Sequence, residues 1–409
     1  MPIEKEKSIL ENFVKTIPQG FTGPDRVNFI LENIDKIPLE DKVTLKNLYN
    51  KFLTGMIERD ASDIEMGGHG NGKYIWMRIY GKKKRIEELP QFSLDESAVL
   101  IINLLNSNQR KYLSLTRNLD FSYTYLYERR NANVRFRADA YFDLDTLALN
   151  MRSINQTIRS LKSLDFHPNV VKMMSHGYIK FGLSLVTGIT GSGKSTTLDA
   201  FIDHHNSFDP AHIVIIASPI EYVHTSNVSI IRHREVGRDV LTFKDGVIQA
   251  LRQDPDIIVI GEMRDPDTIL AALEVTDTGH KVFSTLHTSS ATESIDRIIA
   301  EVHPNEQERV RNRLADVLVT VVSQKLIPSL DGRIIMAKEV LVATPSVKAA
   351  IKNNNTSEIY MMINQGGQMG MITMEQDLKR LYLSKKISLE NAIAFANNKT
   401  RIQQLLTAA

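Results

Sequence analysis

Residues 188–195 read GITGSGKS, and this stretch decides the fold. It fits the pattern of a glycine, four residues of any kind, a glycine, a lysine and a serine or threonine. Glycines let successive backbone N–H groups converge on one anion because no Cβ atom stands in the way. The apolar run LSLVT precedes the stretch, and the helical run STTLDAFIDHH follows it. A flexible turn is the alternative, but a strand before and a helix after favour a phosphate-binding loop.

The start of the predicted helix adds unpaired N–H groups and a partial positive charge, which favour a bound phosphate. We expect Lys194 to reach the β- and γ-phosphates of ATP and the hydroxyl of Ser195 to hold Mg²⁺. The predicted nucleotide-binding residues are Gly188, Thr190, Gly191, Ser192, Gly193, Lys194, Ser195 and Thr196.

Further short apolar runs surround the loop from residue 181 onward. GLSLVTG, HIVIIAS, DIIVIG and KVFSTL alternate with helical stretches, which predicts a parallel sheet covered by helices on both faces. The fold class is therefore α/β. After residue 304 the strand pattern fades, and residues 305–326, NEQERVRNRLADVLVTVVSQKL, are predicted to form one long amphipathic helix, with further helices to residue 409.

A carboxylate follows the third of these expected strands. Glu262 lies just past the apolar run 257–260, and ligands of open parallel sheets bind at that edge. A carboxylate there can activate the attacking water or bind Mg²⁺. Many phosphate-loop enzymes have an aspartate at the strand end, where this chain has Gly261. We therefore expect Mg²⁺ on Ser195, phosphate oxygens and water, with Glu262 in the outer shell or acting as the general base.

Three more candidate residues lie near strand ends. Glu221 occurs in SPIEYVH, His287 follows the strand KVFSTL, and His280 precedes that same strand. A pair of histidines flanking one strand is typical of either satisfied structural residues or a sensor of the γ-phosphate, and both alternatives stay open.

The N-terminal half carries different patterns. Residues 1–58 alternate short helical runs with breakers, and residues 60–142 predict a small α/β domain. KYIWMRIYG alternates as a strand, and Ser93 with a glutamate three residues later predicts a capping box. LDFSYTYLY places four aromatic rings on one strand face, ERRNAN turns the chain, and VRFRADAYF returns as an antiparallel partner. The aromatic row favours a core over a stacking platform because half-buried strands need that alternation.

A basic run, Lys82–Arg85, follows Gly81. Such runs are most often solvated hairpin tips, and a lipid-headgroup or partner contact is the alternative.

Composition limits the possible functions. The chain of 409 residues has 50 Lys and Arg against 48 Asp and Glu, a net charge of +2, which gives no bulk attraction to nucleic acid. With no cysteine, disulfides, thiol catalysis and cysteine-ligated zinc are excluded. The first residues, MPIEKEKSILENFV, contain no apolar run of signal-peptide length, and no segment approaches the roughly 20 apolar residues of a membrane span. We expect a cytoplasmic protein with peripheral membrane contact only.

Five blocks together resemble a known family: GITGSGKSTT, SPIEYVH, REVGRD, ALRQDPDIIVIGEMRD and TGHKVFSTLHTSSA. Their order and spacing are similar to those of the secretion ATPases, and most of all to the PilT-type ATPases that retract type IV pili. The resemblance covers roughly residues 60–400, and residues 1–58 have no recognised counterpart.

The resemblance implies a homo-hexameric motor that hydrolyses ATP with Mg²⁺ and works at the inner membrane against the platform protein of the pilus machine. It implies these domains: an N-terminal helical extension (1–58), a PAS-like domain (59–150), a linker (151–180), a RecA-like ATPase core (181–345) and a C-terminal helical region (346–409). It also implies catalytic roles for Glu262, Glu221, His287, His280, Arg135, Arg137 and Arg152, with one of the three arginines acting as the finger.

Departures from the family pattern keep alternatives open. The chain lacks the four-cysteine module usual in assembly and type II secretion ATPases, and a helix with the sequence SVKAAIKN after Thr344-Pro345 partly matches a retraction motif. Retraction is favoured over assembly on these two features. Ala217 and Ser218 replace two acids common in relatives, which raises the alternative of a slow-turnover regulatory subunit. A nucleic-acid translocase is disfavoured by the near-neutral charge.

Overall fold

A computed structural model describes residues 3–127, 129, 132–154 and 158–407. These residues form two compact units. The first takes the described residues within 1–156 together with 218–222 and 237–239, and the second takes the remainder. Among the described residues, none of the helices combines the length and the apolar character needed to cross a lipid bilayer.

Five α-helices are found among the described residues of the first unit: α1 (Glu4–Val14), α2 (Pro24–Asn33), α3 (Leu39–Glu58), α4 (Leu94–Ile102) and α5 (Ser107–Thr116). The side chains buried on α3 recur at helical spacing: Leu45, Leu48, Tyr49, Phe52, Leu53 and Met56. One apolar stripe of this kind directs a helix onto a core. The buried side chains of α1–α3 share one hydrophobic cluster with those of the sheet.

Six antiparallel strands complete the first unit: β1 (Ala61–Gly67), β2 (Trp76–Ile79), β3 (Lys82–Arg85), β4 (Asn118–Tyr127), β5 (Ala132–Asp143) and β6 (Thr146–Ser153). Their order across the sheet is β3-β2-β1-β6-β5-β4. The predicted hairpin of β4 and β5 is confirmed, although residues 128, 130 and 131 of its turn lie outside the described residues. The aromatic row is core, as predicted, because Phe121, Tyr123, Tyr125 and Tyr127 are all buried.

The basic run Lys82–Arg85 is a strand, so its interpretation as a hairpin tip was wrong. The four residues pair with all of β2, and the turn between the two strands lies at Tyr80 and Gly81. Lysines on an edge strand discourage pairing with other chains, which gives this run a structural role.

The capping box predicted at Ser93 is present at the start of α4. The Ser93 hydroxyl accepts a hydrogen bond from the Glu96 N–H, and the Glu96 carboxylate accepts one from the Ser93 N–H at 2.7 Å. Two basic residues of the N-terminal helices bind the first turn of α4. Lys7 lies 2.9 Å from Glu96, and Arg26 donates to Asp95.

Replacing Ser93 with alanine is expected to lower the free energy of unfolding of the first unit by about 1 kcal/mol, the usual cost of losing an N-cap. Trp76, the one tryptophan of the chain, lies in β2 of this unit, so denaturant unfolding followed by its fluorescence measures the change. Ser107→Ala is the matched control because Ser107 is exposed and follows the cap of α5. Equal midpoints for the two variants would contradict the prediction.

The second unit contains a seven-stranded sheet: β7 (Gly182–Thr187), β8 (His212–Ala217), β9 (Ile230–Glu235), β10 (Ile257–Ile260), β11 (Lys281–Leu286), β12 (Leu318–Pro328) and β13 (Ile334–Val342). The order is β13-β12-β7-β11-β10-β8-β9, and only the pair β12–β13 is antiparallel among these neighbours. The predicted parallel sheet around the glycine loop is confirmed.

Eleven helices are described in this unit: α6 (Pro168–Met174), α7 (Lys194–Phe208), α8 (Phe243–Ala250), α9 (Pro266–Asp277), α10 (Ala291–Glu301), α11 (Pro304–Val317), α12 (Pro345–Lys352), α13 (Ile359–Gln365), α14 (Met374–Leu383), α15 (Leu389–Ala394) and α16 (Lys399–Thr407). Thr344 caps α12 through its hydroxyl, as the Thr-Pro pair predicted. The domain boundaries named above remain predictions.

The long helix predicted over residues 305–326 was wrong in its second half. Helix α11 ends at Val317, and β12 begins at the next residue. Strand β12 pairs with β7 on one side and with β13 on the other, and its residues 318–324 are buried. The β-branched run VTVV fits a strand that is covered on both faces. Pairing with β13, and with β7 far away in sequence, therefore overrides the local helical pattern.

Candidate nucleotide-binding site

The glycine loop joins β7 to α7. Strand β7 is buried at every position, and the helix begins at Lys194 with Gly193 as its N-cap in the left-handed conformation. A Cβ on Gly188, whose φ is +147°, would lie 2.4 Å from the Ser192 hydroxyl oxygen and 2.5 Å from the Gln324 carbonyl oxygen. Only glycine fits at this position, because the backbone of the tight loop comes this close to its neighbours. The loop leads into α7, a helix of 15 residues.

Within this loop the Lys194 ammonium group turns back onto the backbone. It donates hydrogen bonds to the carbonyl oxygens of Gly188 at 2.8 Å and Ile189 at 3.1 Å. Ser195 and Thr196, the next residues of α7, are half-buried, and Thr190 is exposed. The lysine is thus already held over the loop that is predicted to bind phosphate.

Glu262 lies two residues beyond the end of β10. Strands β7, β11 and β10 are adjacent and parallel, so this carboxylate and the glycine loop share one edge of the sheet. An oxygen of Glu262 lies 2.8 Å from a guanidinium nitrogen of Arg264. Its side chain is 22% exposed, which leaves it within reach of solvent.

Gly261 packs closely against the neighbouring strand. A Cβ at this position would lie 3.1 Å from both Cα and Cβ of Ala217, at the end of the neighbouring strand β8. The Gly261 N–H donates to the Ile216 carbonyl at 2.7 Å. A side chain at position 261 would therefore press against Ala217, and Glu262 is the carboxylate that follows this strand.

His287 connects the lysine to the glutamate. Its Nδ1 lies 3.5 Å from the Lys194 ammonium nitrogen, and its Nε2 lies 3.8 Å from an oxygen of Glu262. Burial lowers the pKa of His287, and the charges of Lys194, Arg264 and Arg297 lower it further. The ring is therefore neutral at physiological pH and can both donate and accept a hydrogen bond.

The structure does not bring His280 to this edge. His280 precedes β11 whereas His287 follows it, and six strand residues span about 20 Å. The His280 ring lies 2.9 Å from the Thr278 hydroxyl, at the opposite edge of the same sheet. Its role as a γ-phosphate sensor stays a prediction.

The remaining predicted residues belong to the first unit. Glu221 follows β8 in the segment 218–222, which groups with that unit, and it lies 3.9 Å from Arg137. Arg137 on β5 also pairs with Asp120 at 3.2 Å. Arg135 on β5 is buried, whereas Arg152 on β6 binds Asp63 at 2.8 Å. The approach of these arginines to a nucleotide stays a prediction.

Two residues near the loop were missed by sequence reasoning. Arg264 sits in the quoted block GEMRD and could have been singled out as the nearest cation to Glu262. Gln324 could not, because its segment was assigned to a helix. It is buried, and its side-chain amide donates to the Ser192 carbonyl at 2.7 Å.

The loop has the features of a binding site for a nucleoside triphosphate. Gly188, Gly191 and Gly193 hold positive φ angles that turn the backbone tightly, and Lys194 supplies a cation within the same loop. The site also fits Mg²⁺ with few protein ligands. The Ser195 hydroxyl at the start of α7 and the Glu262 carboxylate at the same sheet edge are the oxygen donors that would hold it.

A phosphate loop on one parallel strand and a carboxylate two strands away make the second unit a P-loop ATPase domain. The sequence of the chain matches the family of type II/IV secretion system proteins over residues 39–406. The twitching motility protein of Neisseria gonorrhoeae is 39% identical over 323 residues, which are 79% of this chain and 84% of the relative. The type IV pilus retraction ATPase PilT of Pseudomonas aeruginosa is 37% identical over 342 residues, 84% of this chain and 96% of the relative.

A solved structure gives the same result. The crystal structure of the pilus retraction motor PilT with bound ADP matches with a TM-score of 0.75 at 35% identity, over 87% of this chain and 98% of that one. The chain belongs to the type II/IV secretion system protein family. The resemblance to PilT-type ATPases inferred from the five sequence blocks is confirmed, and so is the α/β fold class.

Proposed function

We propose that this chain is an ATP-hydrolysing motor that drives retraction of type IV pili. The observation that carries the proposal is the line of contacts from Lys194 through His287 to Glu262 at one edge of the sheet. It joins a phosphate-binding cation to a candidate general base. The names of two relatives, a twitching motility protein and a pilus retraction ATPase, support the direction of movement.

The proposed reaction is attack of water on the γ-phosphate of ATP, which yields ADP and phosphate. Loop N–H groups and Lys194 hold the phosphate oxygens and stabilise the charge that develops on them. Glu262 accepts a proton from the attacking water. Arg264 lies 2.8 Å from that carboxylate and orients it, and the neutral His287 ring is placed to hydrogen-bond the γ-phosphate.

Mg²⁺ is the proposed cofactor, and it would neutralise charge on the β- and γ-phosphates. Ser195 would hold the ion through its hydroxyl. Gly261 and Ala217, at the ends of β10 and β8, supply no carboxylate that would bind the ion directly. Glu262 would therefore hold it through water.

Assembly into a homo-hexamer is part of the proposal, as is an arginine finger supplied by Arg135, Arg137 or Arg152. Such an arginine would make hydrolysis depend on closure between units or subunits, which couples chemistry to motion. The proposed partner is the inner-membrane platform protein of the pilus machine, and the proposed location is the cytoplasmic face of that membrane. Glu221 and His280 are proposed to act in the same cycle.

A slow-turnover regulatory subunit is the second candidate. Ala217 ends β8 against Gly261, so these two positions supply no acid to the nucleotide. This packing favours slower hydrolysis than in relatives that carry acids beside the site.

A strain that lacks the gene is expected to carry excess, unretracted pili and to lose twitching motility, because assembly continues without retraction. Electron microscopy of pili and a surface motility assay measure both, and restoring the wild-type gene is the control. A strain without pili would instead identify an assembly motor. Normal pili and motility, with a purified chain that binds ATP and does not hydrolyse it, would favour the regulatory subunit.

A further inference from the structure

We propose that Gln324 is a positioning residue for the phosphate loop and sets the affinity for nucleotide phosphates. The inference rests on the proposed function of that loop. Gln324 lies on β12, is 1% exposed, and spans two parts of the site with its side-chain amide. Its nitrogen donates to the Ser192 carbonyl at 2.7 Å, and its oxygen accepts from the Thr197 hydroxyl at 2.9 Å.

The backbone register brings Gln324 to this place. Strands β12 and β7 run parallel with Ser323 opposite Thr187, so Gln324 on β12 lies beside Gly188, the first residue after β7. The two backbones touch there, since a Cβ on Gly188 would lie 2.5 Å from the Gln324 carbonyl oxygen. The glutamine is therefore fixed at the base of the loop by the strand pairing of the sheet.

The bond to Ser192 orients the next peptide N–H group. In a trans peptide the carbonyl of Ser192 and the N–H of Gly193 point in opposite directions. Because Gln324 holds that carbonyl toward β12, the Gly193 N–H is directed away from β12, to the side where phosphate would lie. A carbonyl turned to that side would instead present negative charge to phosphate.

The bond to Thr197 fixes the first turn of α7. The Thr197 N–H already donates to the Gly193 carbonyl at 3.1 Å, so the same side chain ties the loop and the helix start to one strand. Without the amide, the buried Ser192 carbonyl would lose a partner, which is costly for a group shielded from water. The loop would then change conformation so that the Ser192 carbonyl finds another hydrogen-bond donor.

Two variants and a control separate the roles of the amide. Gln324→Met keeps the length of the side chain and removes both bonds. Gln324→Glu keeps the acceptor for Thr197 and removes the donor to Ser192. Thr197→Val removes only the helix contact. We expect both Gln324 variants to raise the Kd for ADP and the KM for ATP about tenfold, with kcat changed less than about threefold. Thr197→Val is expected to raise KM less than about threefold.

Calorimetry with ADP and a phosphate-release assay give these values. A purely structural role would lower kcat through loss of active protein and leave KM unchanged, so an unchanged KM in Gln324→Met overturns the inference. If Gln324→Met does not fold, the KM of Gln324→Glu is used instead, and an unchanged KM in that variant overturns the inference. If the wild-type protein binds no ADP, the proposed function and this inference are both overturned. If the wild-type protein binds ADP and the Gln324 variants have the same Kd and KM, only this inference is overturned.

Discussion

Replacing Lys194 with alanine is expected to reduce ATP hydrolysis by at least about 100-fold, the usual effect of removing one group that stabilises charge in the transition state. Its ammonium group lies 2.8 Å from the Gly188 carbonyl oxygen and 3.5 Å from Nδ1 of His287, at the sheet edge that carries the loop. Loss of this cation leaves phosphate charge uncompensated within the loop. Binding of ATP is expected to weaken as well, because the same cation contacts the bound state.

A phosphate-release assay at saturating ATP and a calorimetric titration with ADP measure the two effects. Lys399→Ala is the matched control, since Lys399 is an exposed lysine on α16 of the same unit. If Lys194→Ala hydrolysed ATP with the kcat and KM of the wild type, the loop would not be the phosphate site.

Replacing Glu262 with glutamine is expected to lower kcat by about 100-fold or more while nucleotide binding persists. Positioned general bases contribute roughly 10²–10⁴-fold to rates, and glutamine cannot accept the proton. The amide oxygen can still accept a hydrogen bond from Arg264, which lies 2.8 Å from the native carboxylate, so the local structure should hold. The result expected is a chain that binds ATP and does not turn it over.

Glu274→Gln provides the comparison, because Glu274 is an exposed glutamate on α9 of the same unit. The Kd for ADP should be the same in both variants. An unchanged turnover in Glu262→Gln would remove this residue from the mechanism and direct attention to Glu221.

Most of the predictions that were confirmed rest on the spacing of residues within short segments of the sequence. The glycine spacing predicted the loop, and four apolar runs predicted β7, β8, β10 and β11. The serine and glutamate spacing at Ser93 predicted a capping box that is present. The alternating aromatic residues predicted a buried face on β4. Each feature depends on residues close together in sequence, where spacing alone sets the geometry.

The direction of β11 decides which of the two histidines lies at the same edge of the sheet as the phosphate loop. The sequence places His280 before and His287 after one predicted parallel strand, and both were kept as candidates for the site. Parallel pairing of β11 with β7 puts the loop and His287 at the same edge and His280 at the other. That assignment comes from contacts between segments about 100 residues apart.

By itself, the sequence determined that a phosphate loop lies between a buried strand and a helix, and that Glu262 follows a second strand of the same sheet. Only the tertiary structure decided that residues 318–328 form β12 instead of continuing α11. The run LVTVVSQKL carries apolar residues that suit a buried helix or a buried strand, so its pattern does not choose between them. Pairing with β7 and β13 satisfies its backbone on both sides, buries it, and thereby places Gln324 against the loop.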